Sequence, residues 1–345
     1  RLARELIQVG SDSAMLQSSI EGETNLSVIS GFGRTIEDDL PVPLDELPVP
    51  DFDDYFARLK KSPLVDAIDP LLLFETSRGC WWGQHHHCKF CGLNGGRIGY
   101  RRKSPQRVAD EMAELVRRYD VHRACTTDNI FSPGYFKSLL PVLQQADVRL
   151  SFEQELRADL SRDQIESLVR AGLGAAQLGI ETFSTELLLR MDKGTTAIDN
   201  LQTLKWLSAA GVETHWNLLY GIPGEKEGHY REIAAIVERI THLNPPTAVG
   251  RVRLDRFSPY FESPGTNGIE NVRPHPAYRF VYPLGGESLE CLAYYFEFDF
   301  ADRHSPETAA AAMLEAVEGW YAASDTATLR CFDREDGTLL LIDTR

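Results

Sequence analysis

Three cysteines lie close together in the sequence, with seven residues between Cys80 and Cys88 and two between Cys88 and Cys91. The other cysteines are far apart, at Cys125, Cys291 and Cys331. Such crowding is typical of a metal-ligand set, whereas a disulfide framework spreads its cysteines over a small secreted domain. Because an iron-sulfur cluster is normally held by four thiolates, three would leave one iron free for a cofactor or substrate. We therefore predict a cluster at the crowded trio and buried, unreactive thiols at the other three positions.

Zinc is the alternative metal for this trio of cysteines. One of His85, His86 or His87 would then complete a Cys3His tetrahedron. Structural zinc sites usually combine two ligand pairs that are separated by a dozen or more residues, whereas all the candidates here lie in one loop after an apolar run. This arrangement favours the iron-sulfur cluster, and we expect the histidines to face solvent or to support the cysteines.

Short apolar runs alternate with stretches of helical periodicity from residue 70 to about residue 270. This alternation is typical of βα units around a parallel sheet, so we predict an α/β protein with a partial (β/α)6 TIM-type barrel. The predicted strands are 71–74, 123–128, 149–153, 175–180, 213–220 and 250–257. Ser161 with Gln164 predicts a capping box at a helix start, and Gly172 and Gly211 predict helix ends. Barrels of this type place their chemistry at the carboxyl ends of the strands, where the cysteine loop follows the first strand.

Composition divides the chain into three parts. Residues 1–62 are predicted to be an N-terminal linker or remnant, because four prolines between residues 38 and 51 favour extended chain. An arm anchored on the core by Phe52, Tyr55 and Phe56 is the alternative. Residues 63–270 are the predicted barrel, and residues 271–345 a small C-terminal α+β extension. Since the sequence starts at Arg1 and stops at Arg345, we expect both ends to continue beyond it.

The charge balance indicates which partners to expect. The chain has 36 Lys and Arg against 51 Asp and Glu, so its formal charge is -15 and its pI is about 5.1. A chain this acidic lacks the cationic surface that neutralises a nucleic-acid backbone, so we expect no nucleic-acid partner. It has no apolar run of the roughly 18 residues that span a bilayer and no signal-peptide pattern. We therefore expect a cytoplasmic protein without a membrane partner.

Several further phrases accompany the cysteine loop. They are Glu75-Thr-Ser-Arg-Gly-Cys-Trp-Trp-Gly, His87-Cys-Lys-Phe-Cys-Gly-Leu-Asn, Lys103-Ser-Pro, Gly179-Ile-Glu, Trp216-Asn-Leu-Leu-Tyr-Gly-Ile-Pro-Gly-Glu and Arg256-Phe-Ser-Pro-Tyr. Together they resemble the radical S-adenosylmethionine (SAM) superfamily, and within it the maturation enzymes of ribosomally made, post-translationally modified peptides. The superfamily's commonest cysteine spacing is three residues and then two, so the seven-residue gap departs from it. The resemblance covers about residues 40 to 345.

The resemblance implies a specific chemistry. Cys80, Cys88 and Cys91 would hold a 4Fe-4S cluster, whose open iron chelates the amino and carboxylate groups of SAM. One electron from an external donor would then break a carbon-sulfur bond of SAM. The usual product is a 5'-deoxyadenosyl radical that abstracts hydrogen from the substrate, here a precursor peptide or a small molecule.

The resemblance also implies cofactor contacts at the strand ends. They are Phe90 beside the last cysteine, Asp128 and Asn129 for the methionyl amino group, Glu153 or Glu155 for the ribose hydroxyls, Arg157 for the carboxylate, Glu181, and Tyr220 with Gly221 near the adenine. The superfamily's usual Gly-Gly-Glu is absent from the second strand. For each carboxylate the alternative role is to cap a helix or to pair with a surface cation.

Three functional alternatives stay open. The segment 35–56 resembles the one that joins a cobalamin-binding domain to the barrel, so cobalamin and C-methylation are expected if such a domain lies upstream. A related type, which resembles the enzymes of arsinothricin biosynthesis, would transfer the 3-amino-3-carboxypropyl group of SAM to arsenite. A non-catalytic protein, stabilised by zinc and binding a leader peptide, is the third.

Overall fold

The computed structural model describes residues 42–93, 95, 99–146 and 150–345. Most of the predicted N-terminal segment, and the first residue of the predicted strand at 149–153, lie outside these ranges. Residues Leu44–Arg345 pack as one unit, and the division predicted at residues 62 and 270 stays a prediction.

The strands are numbered along the chain. They are β1 (Leu72–Phe74), β2 (Ser77–Arg78), β3 (Arg101–Arg102), β4 (Arg123–Thr126), β5 (Ser151–Arg157), β6 (Leu173–Glu181), β7 (Glu213–Tyr220), β8 (Ala248–Arg251), β9 (Leu254–Asp255), β10 (Ile269–Pro274), β11 (Tyr295–Phe300), β12 (Leu329–Asp333) and β13 (Leu339–Asp343).

The α-helices are numbered in the same way. They are α1 (Asp53–Leu59), α2 (Pro105–Tyr119), α3 (Tyr135–Ser138), α4 (Leu140–Gln145), α5 (Arg162–Arg170), α6 (Thr185–Arg190), α7 (Ala197–Ala209), α8 (Glu227–Val237), α9 (Pro259–Glu262), α10 (Tyr278–Val281), α11 (Gly286–Leu292) and α12 (Pro306–Ala323). Short 3-10 helices cover Leu44–Glu46, Val65–Ala67 and Gly265–Asn267. Within the described ranges, no helix is both long enough and apolar enough to cross a bilayer.

Six strands form one parallel sheet in the order β1-β4-β5-β6-β7-β8. The two outer strands, β1 and β8, are not hydrogen-bonded to each other, so the barrel is open. The predicted α/β class and partial barrel are therefore confirmed. This topology brings the carboxyl ends of all six strands to one side of the sheet, where the cysteine loop also lies.

Local signals set the helix ends. In α5, the Ser161 hydroxyl accepts from Gln164 N and the Gln164 side chain accepts from Ser161 N, which confirms the predicted capping box. Gly172 and Gly211 follow α5 and α7 with φ values of 107° and 73°, a region that suits glycine because it has no Cβ. The helices therefore end where the sequence predicts.

The two faces of the sheet differ in composition. On β5, Phe152 and Gln154 pack toward α2 and α4, together with apolar residues of those helices. Because side chains alternate along a strand, Glu153, Glu155 and Arg157 point to the opposite face. We call this opposite face the inner face. It carries the polar groups that the site requires.

Two strand predictions need correction. The strand predicted at 149–153 continues to Arg157 in the structure, and its polar inner-face residues hide this length from an apolar-run criterion. The strand predicted at 250–257 is two strands, because β8 lies in the parallel sheet and β9 pairs antiparallel with β11. The β2–β3 pair, which lies next to the cysteine loop, has no clear apolar signal in the sequence.

The C-terminal part is α+β, as predicted. β10, β11 and β9 form a three-stranded antiparallel sheet, and β12 and β13 form a hairpin. Helix α12 packs along α8 and buries Trp320, which lies 5.8 Å from Trp216 of β7 between ring centres. His304, just before α12, contacts buried Glu225 at 3.1 Å (Nε2 to Oε1). These contacts join the extension to the parallel sheet.

Candidate active site

The cysteine loop follows β1 and starts from the antiparallel pair β2–β3. Ser77 is paired with Arg102 and Arg78 with Arg101, so the loop between these strands has a fixed base. Gly79 follows with φ 84°, a conformation that is strained for other residues. This turn places Cys80 at the carboxyl end of the parallel sheet.

The seven residues between Cys80 and Cys88 are anchored by two tryptophans. The Trp81 indole N–H donates to Phe131 O, and the Trp82 indole N–H donates to Asp192 O, each at 3.0 Å. A Cβ at Gly194 would lie 2.1 Å from the Trp82 ring, so the ring packs directly on this glycine. The long spacing is therefore an ordered segment that is tied to the loops after β4 and α6.

Arg157, at the end of β5, completes this anchor. Its guanidinium lies 4.2 Å from the Trp82 ring centre and donates to Lys193 O at 3.1 Å and to Gly194 O at 3.2 Å. Its Nε donates to Asp159 at 3.0 Å. The sequence assigned Arg157 to the carboxylate of SAM, but the structure shows its donors holding the loop. That assignment stays a prediction.

The three cysteines lie within electrostatic reach of one another. Burial raises the pKa of the Cys88 thiol, and Cys80 adds to the rise. Burial also raises the pKa of Cys91, to about 11, with Cys88 and Cys80 adding further. A raised pKa means that the buried thiols are neutral without a metal. A bound metal cation would deprotonate them and stabilise the three thiolates. The trio therefore fits a metal centre in chemistry and placement.

Within the described parts of the chain, no three His, Cys, Asp or Glu side chains converge closely enough for a single metal ion. A preformed Cys3His zinc site is therefore not seen among these residues.

The histidine run lies beside the cysteines. His85 and His86 are exposed, and the His86 ring stacks on Trp82 at 4.1 Å. His87 contacts Cys91 O at 2.7 Å through Nε2 and has a φ of 56°. These placements agree with the expectation of solvent-facing or supporting residues.

Asp128 follows β4 and is buried. Its carboxylate accepts hydrogen bonds from Thr76 N at 2.7 Å and Ser77 N at 2.9 Å, and also from the Thr76 hydroxyl. Burial raises its pKa to about 6, although these hydrogen bonds oppose the rise. Asp128 thus holds the segment that leads from β1 to the cysteines. Half-buried Asn129 follows it, and their predicted role with the methionyl amino group stays a prediction.

Glu153 and Glu155 lie on the inner face of β5, next to Cys125 of β4. Cys125 is in register with Glu153, which further raises the pKa of the Cys125 thiol after burial. Burial raises the pKa of Glu155 to about 7, and the Asp128 charge adds to this. Among the described residues, none forms a hydrogen bond or ion pair with the Glu155 carboxylate. Glu155 is therefore available to a ligand on the inner face.

Glu181 ends β6 with a φ of 60°, and its carboxylate pairs with Lys193 at 2.8 Å. Sequence reasoning missed Lys193, although it lies twelve residues after a predicted site residue and just before a glycine. Its ammonium lies 5.6 Å from the centre of the Phe90 ring. The structure therefore brings together Glu181, Lys193 and Phe90, which the sequence separates.

The last predicted contacts lie at the end of β7. Tyr220 O accepts from Val252 N at 2.7 Å, and Gly221 has a φ of 74°. A Cβ at Gly221 would lie 2.7 Å from the Arg251 side chain. Ile222 N donates to the Glu225 carboxylate at 2.6 Å and fixes the turn. Only glycine suits this turn, and its predicted contact with adenine stays a prediction.

The segment after β9 packs against the cysteine loop. Tyr260 N donates to Lys89 O at 2.9 Å, and a Cβ at Gly92 would lie 2.2 Å from Arg256 O. A cavity of about 560 Å³ lies beside these contacts, lined by residues that include His87, Lys89 and Phe257. The loop is therefore packed against the segment that follows β9.

Two of the isolated cysteines differ from the prediction. Cys291 and Cys331 are exposed, and Cys125 is partly buried. Cys331 lies on the β12–β13 hairpin, whose residues are almost all exposed, so alternation in a strand does not bury it.

Comparison with known proteins gives a family match for residues 74–237, to the model described as the Radical SAM superfamily. Among curated proteins, the chain is similar to the tRNA-2-methylthio-N(6)-dimethylallyladenosine synthase of Clostridium novyi (strain NT), at 26% identity over 191 residues. That match covers 51% of this chain and 41% of the relative. An uncharacterized methyltransferase of Pyrococcus horikoshii is 24% identical over 187 residues, which are 53% of this chain and 39% of the relative.

Solved structures share the fold. The methyltransferase TsrM from Kitasatospora setae, with tryptophan substrate and a SAM analogue bound, superposes with a TM-score of 0.54 at 18% identity, over 72% of this chain and 52% of TsrM. The cobalamin-dependent radical enzyme OxsB, with aqua-cobalamin bound, also has a TM-score of 0.54, at 17% identity, over 72% of this chain and 41% of OxsB. The chain spans about half or less of the length of all these relatives.

Proposed function

We propose that this chain, whose residues 74–237 match the Radical SAM superfamily model, is an enzyme that cleaves SAM reductively and modifies a ribosomally made precursor peptide. One observation carries the proposal. Cys80, Cys88 and Cys91 lie in one anchored loop at the carboxyl end of an open parallel sheet, and Cys88 is within electrostatic reach of Glu181 and Lys193. This is the side of the sheet where barrels of this type place their chemistry.

When bound, the 4Fe-4S cluster and SAM supply the one-electron chemistry that breaks a carbon-sulfur bond. The cysteines would hold the cluster, while Trp81 and Trp82 fix their loop. On the inner face, the Glu155 carboxylate is available to accept hydrogen bonds from the ribose hydroxyls of SAM. We place the adenine near the turn at Tyr220 and Gly221.

The substrate assignment rests on the peptide-maturation resemblance and on charge. A net charge of -15 disfavours a polyanionic substrate, which would have to approach against this field. The alternative is a small molecule that enters the open inner face. An external donor supplies the electron.

C-methylation is the modification that we propose if a cobalamin-binding domain precedes this chain. TsrM and OxsB, which share the fold, are described as a radical methyltransferase and a cobalamin-dependent radical enzyme. Full-length protein, purified after cobalamin supplementation, is then expected to contain a corrinoid. Turnover without any corrinoid would exclude this part of the proposal.

The test is anaerobic reconstitution with iron and sulfide, followed by the absorbance spectrum and by product analysis with dithionite and SAM. We expect a brown protein that forms 5'-deoxyadenosine. Methylthioadenosine as the main product would instead indicate transfer of the carboxypropyl group, as in the arsenite alternative. A colourless protein that contains zinc and does not turn over SAM would overturn the proposal in favour of the non-catalytic alternative.

A further inference from the structure

Lys193 and Glu181 form a nearly buried ion pair beside the cysteine loop. The distance from Nζ to Oε1 is 2.8 Å, and the two side chains are only 12% and 13% exposed. Phe90, whose ring centre lies 5.6 Å from the ammonium, stands between Cys88 and Cys91 in the sequence. The pair therefore lies next to two of the three cysteines and away from bulk water.

Both ends of Lys193 are held in place. Its backbone N–H donates to Leu188 O at 3.0 Å, and its carbonyl accepts from Arg157 at 3.1 Å. At the other end, a Cβ at Gly179 would lie 2.7 Å from Nζ, so the glycine leaves the space that the ammonium fills. A cation fixed in this way loses little further freedom when it interacts with a charged group beside it.

The turn that carries Lys193 also contacts the cysteine loop directly. Lys89 N, next to Cys88 in the sequence, donates to Met191 O at 2.8 Å, two residues before Lys193. Together with the Phe90 contact, this places the ammonium beside the stretch that contains Cys88 and Cys91. Since a lysine side chain is ordinarily protonated at neutral pH, this group is a cation.

We propose that Lys193 favours the one-electron-reduced state of a 4Fe-4S cluster held by the three cysteines, and that Glu181 limits this effect. This inference rests on the proposed function. Reduction adds one negative charge to the centre, and a fixed cation beside a ligand stabilises the more negative state by Coulomb attraction. Because the pair is nearly buried, salt and water screen this attraction less than they would at the surface.

The experiment compares variants of the full-length protein after anaerobic reconstitution, by a redox titration monitored through the electron paramagnetic resonance signal of the reduced cluster. Lys193→Met is expected to shift the midpoint potential to a more negative value, because the cation is lost. Lys193→Arg keeps the charge and is expected to restore a near-wild-type potential. Glu181→Gln is expected to shift the midpoint in the opposite direction, and Lys193→Met with Glu181→Gln should lie between the two single variants.

The control is Lys205→Met, which removes a lysine whose ammonium lies over the Trp206 ring, at 4.4 Å from its centre. It is expected to leave the potential unchanged. The inference is overturned if Lys193→Met keeps the wild-type potential, or if Lys193→Met and Glu181→Gln shift it in the same direction, as general damage to the site would. Unchanged potential with at least tenfold weaker SAM binding would assign Lys193 to the cofactor instead.

Failure of the inference is distinguishable from failure of the proposed function. If the wild-type protein incorporates no iron and sulfide, the proposed function fails. If the wild-type protein holds a cluster and cleaves SAM, but the charge variants leave the potential unmoved, only the role of Lys193 fails.

Discussion

The guanidinium of Arg157 lies 4.2 Å from the centre of the Trp82 ring. This contact joins the carboxyl end of β5 to the segment that separates the first two cysteines. The same guanidinium donates to the carbonyls of Lys193 and Gly194, so one side chain fixes two loops of the site. The unusual cysteine spacing is thus accommodated by specific contacts.

Arg157→Met is expected to loosen the cysteine loop. It removes charge-assisted hydrogen bonds, which contribute about 1.5–3 kcal/mol in typical proteins. We expect the free energy of unfolding, measured by guanidinium titration of the cluster-free protein, to fall by about 2 kcal/mol, and a chelator to remove iron faster from the loaded protein. Arg170→Ala, at an exposed ion pair on α5, should change the free energy by less than about 0.5 kcal/mol. Equal effects of the two substitutions would contradict the anchoring role.

Gly92→Ala tests the packing of the cysteine loop against the segment after β9. An added Cβ would lie 2.2 Å from Arg256 O, and this backbone has little room to move. Such overpacking typically costs about 1–3 kcal/mol. We expect a lower melting temperature and lower iron content. Gly99→Ala is the matched control because a Cβ there meets nothing within 4 Å, and it should leave both measurements unchanged.

Glu155 is expected to make stability depend on pH in the cluster-free protein. Because its folded-state pKa of about 7 exceeds the model-peptide value of 4.5, the native state binds the proton more tightly than the unfolded state. The protonated Glu155 side chain therefore stabilises the folded state at low pH. This stabilisation is lost as the pH rises from about 4.5 to about 7. Each unit of pKa difference corresponds to about 1.4 kcal/mol.

Glu155→Gln removes this titration. The variant should be more stable than the wild type at pH 8, and the difference in free energy of unfolding should disappear near pH 4.5. Urea titrations of both proteins at a series of pH values measure this difference in free energy of unfolding. Glu227→Gln, at an exposed ion pair on α8, serves as the control and should show no such trend. A difference in free energy of unfolding that grows toward low pH would contradict the raised pKa of Glu155.

Single alanine substitutions of Cys80, Cys88 and Cys91 are each expected to abolish most cluster binding, because the centre would be left with two protein thiolates. The measurement is iron and acid-labile sulfide per chain, together with visible absorbance. Cys331→Ala is the control, since this thiol is exposed on the β12–β13 hairpin. Retention of a full complement of iron in any of the three variants would show that the ligand set is different.

The periodic parts of the fold were predictable from the sequence. The parallel strands and the capped helices follow from apolar runs and short-range signals, which act between residues close in the chain. The strand predicted at 213–220 has the same bounds in the structure. β5 was predicted too short because Glu155 and Arg157 face a polar interior, where a strand has no apolar alternation to reveal it.

Sequence reasoning could address only the proposed ligands of the candidate site. The spacing of the three cysteines predicts them as ligands, which stays a prediction, and their supporting contacts span long sequence distances. Trp82 reaches the carbonyl of Asp192 across 110 residues, and Asp128 reaches Thr76 across 52. Lys193 was missed because the β6 bulge and the turn after α6 bring it to Glu181, and neither feature leaves a periodic signal.

The cysteine loop also contacts the segment after β9, through Lys89 and Gly92 on one side and Tyr260 and Arg256 on the other. Because a group that binds only the folded loop stabilises it, iron loading is expected to strengthen this junction. Oxygen that destroys the inorganic centre is then expected to loosen it. Anaerobic handling should thus preserve the fold of the protein as well as turnover.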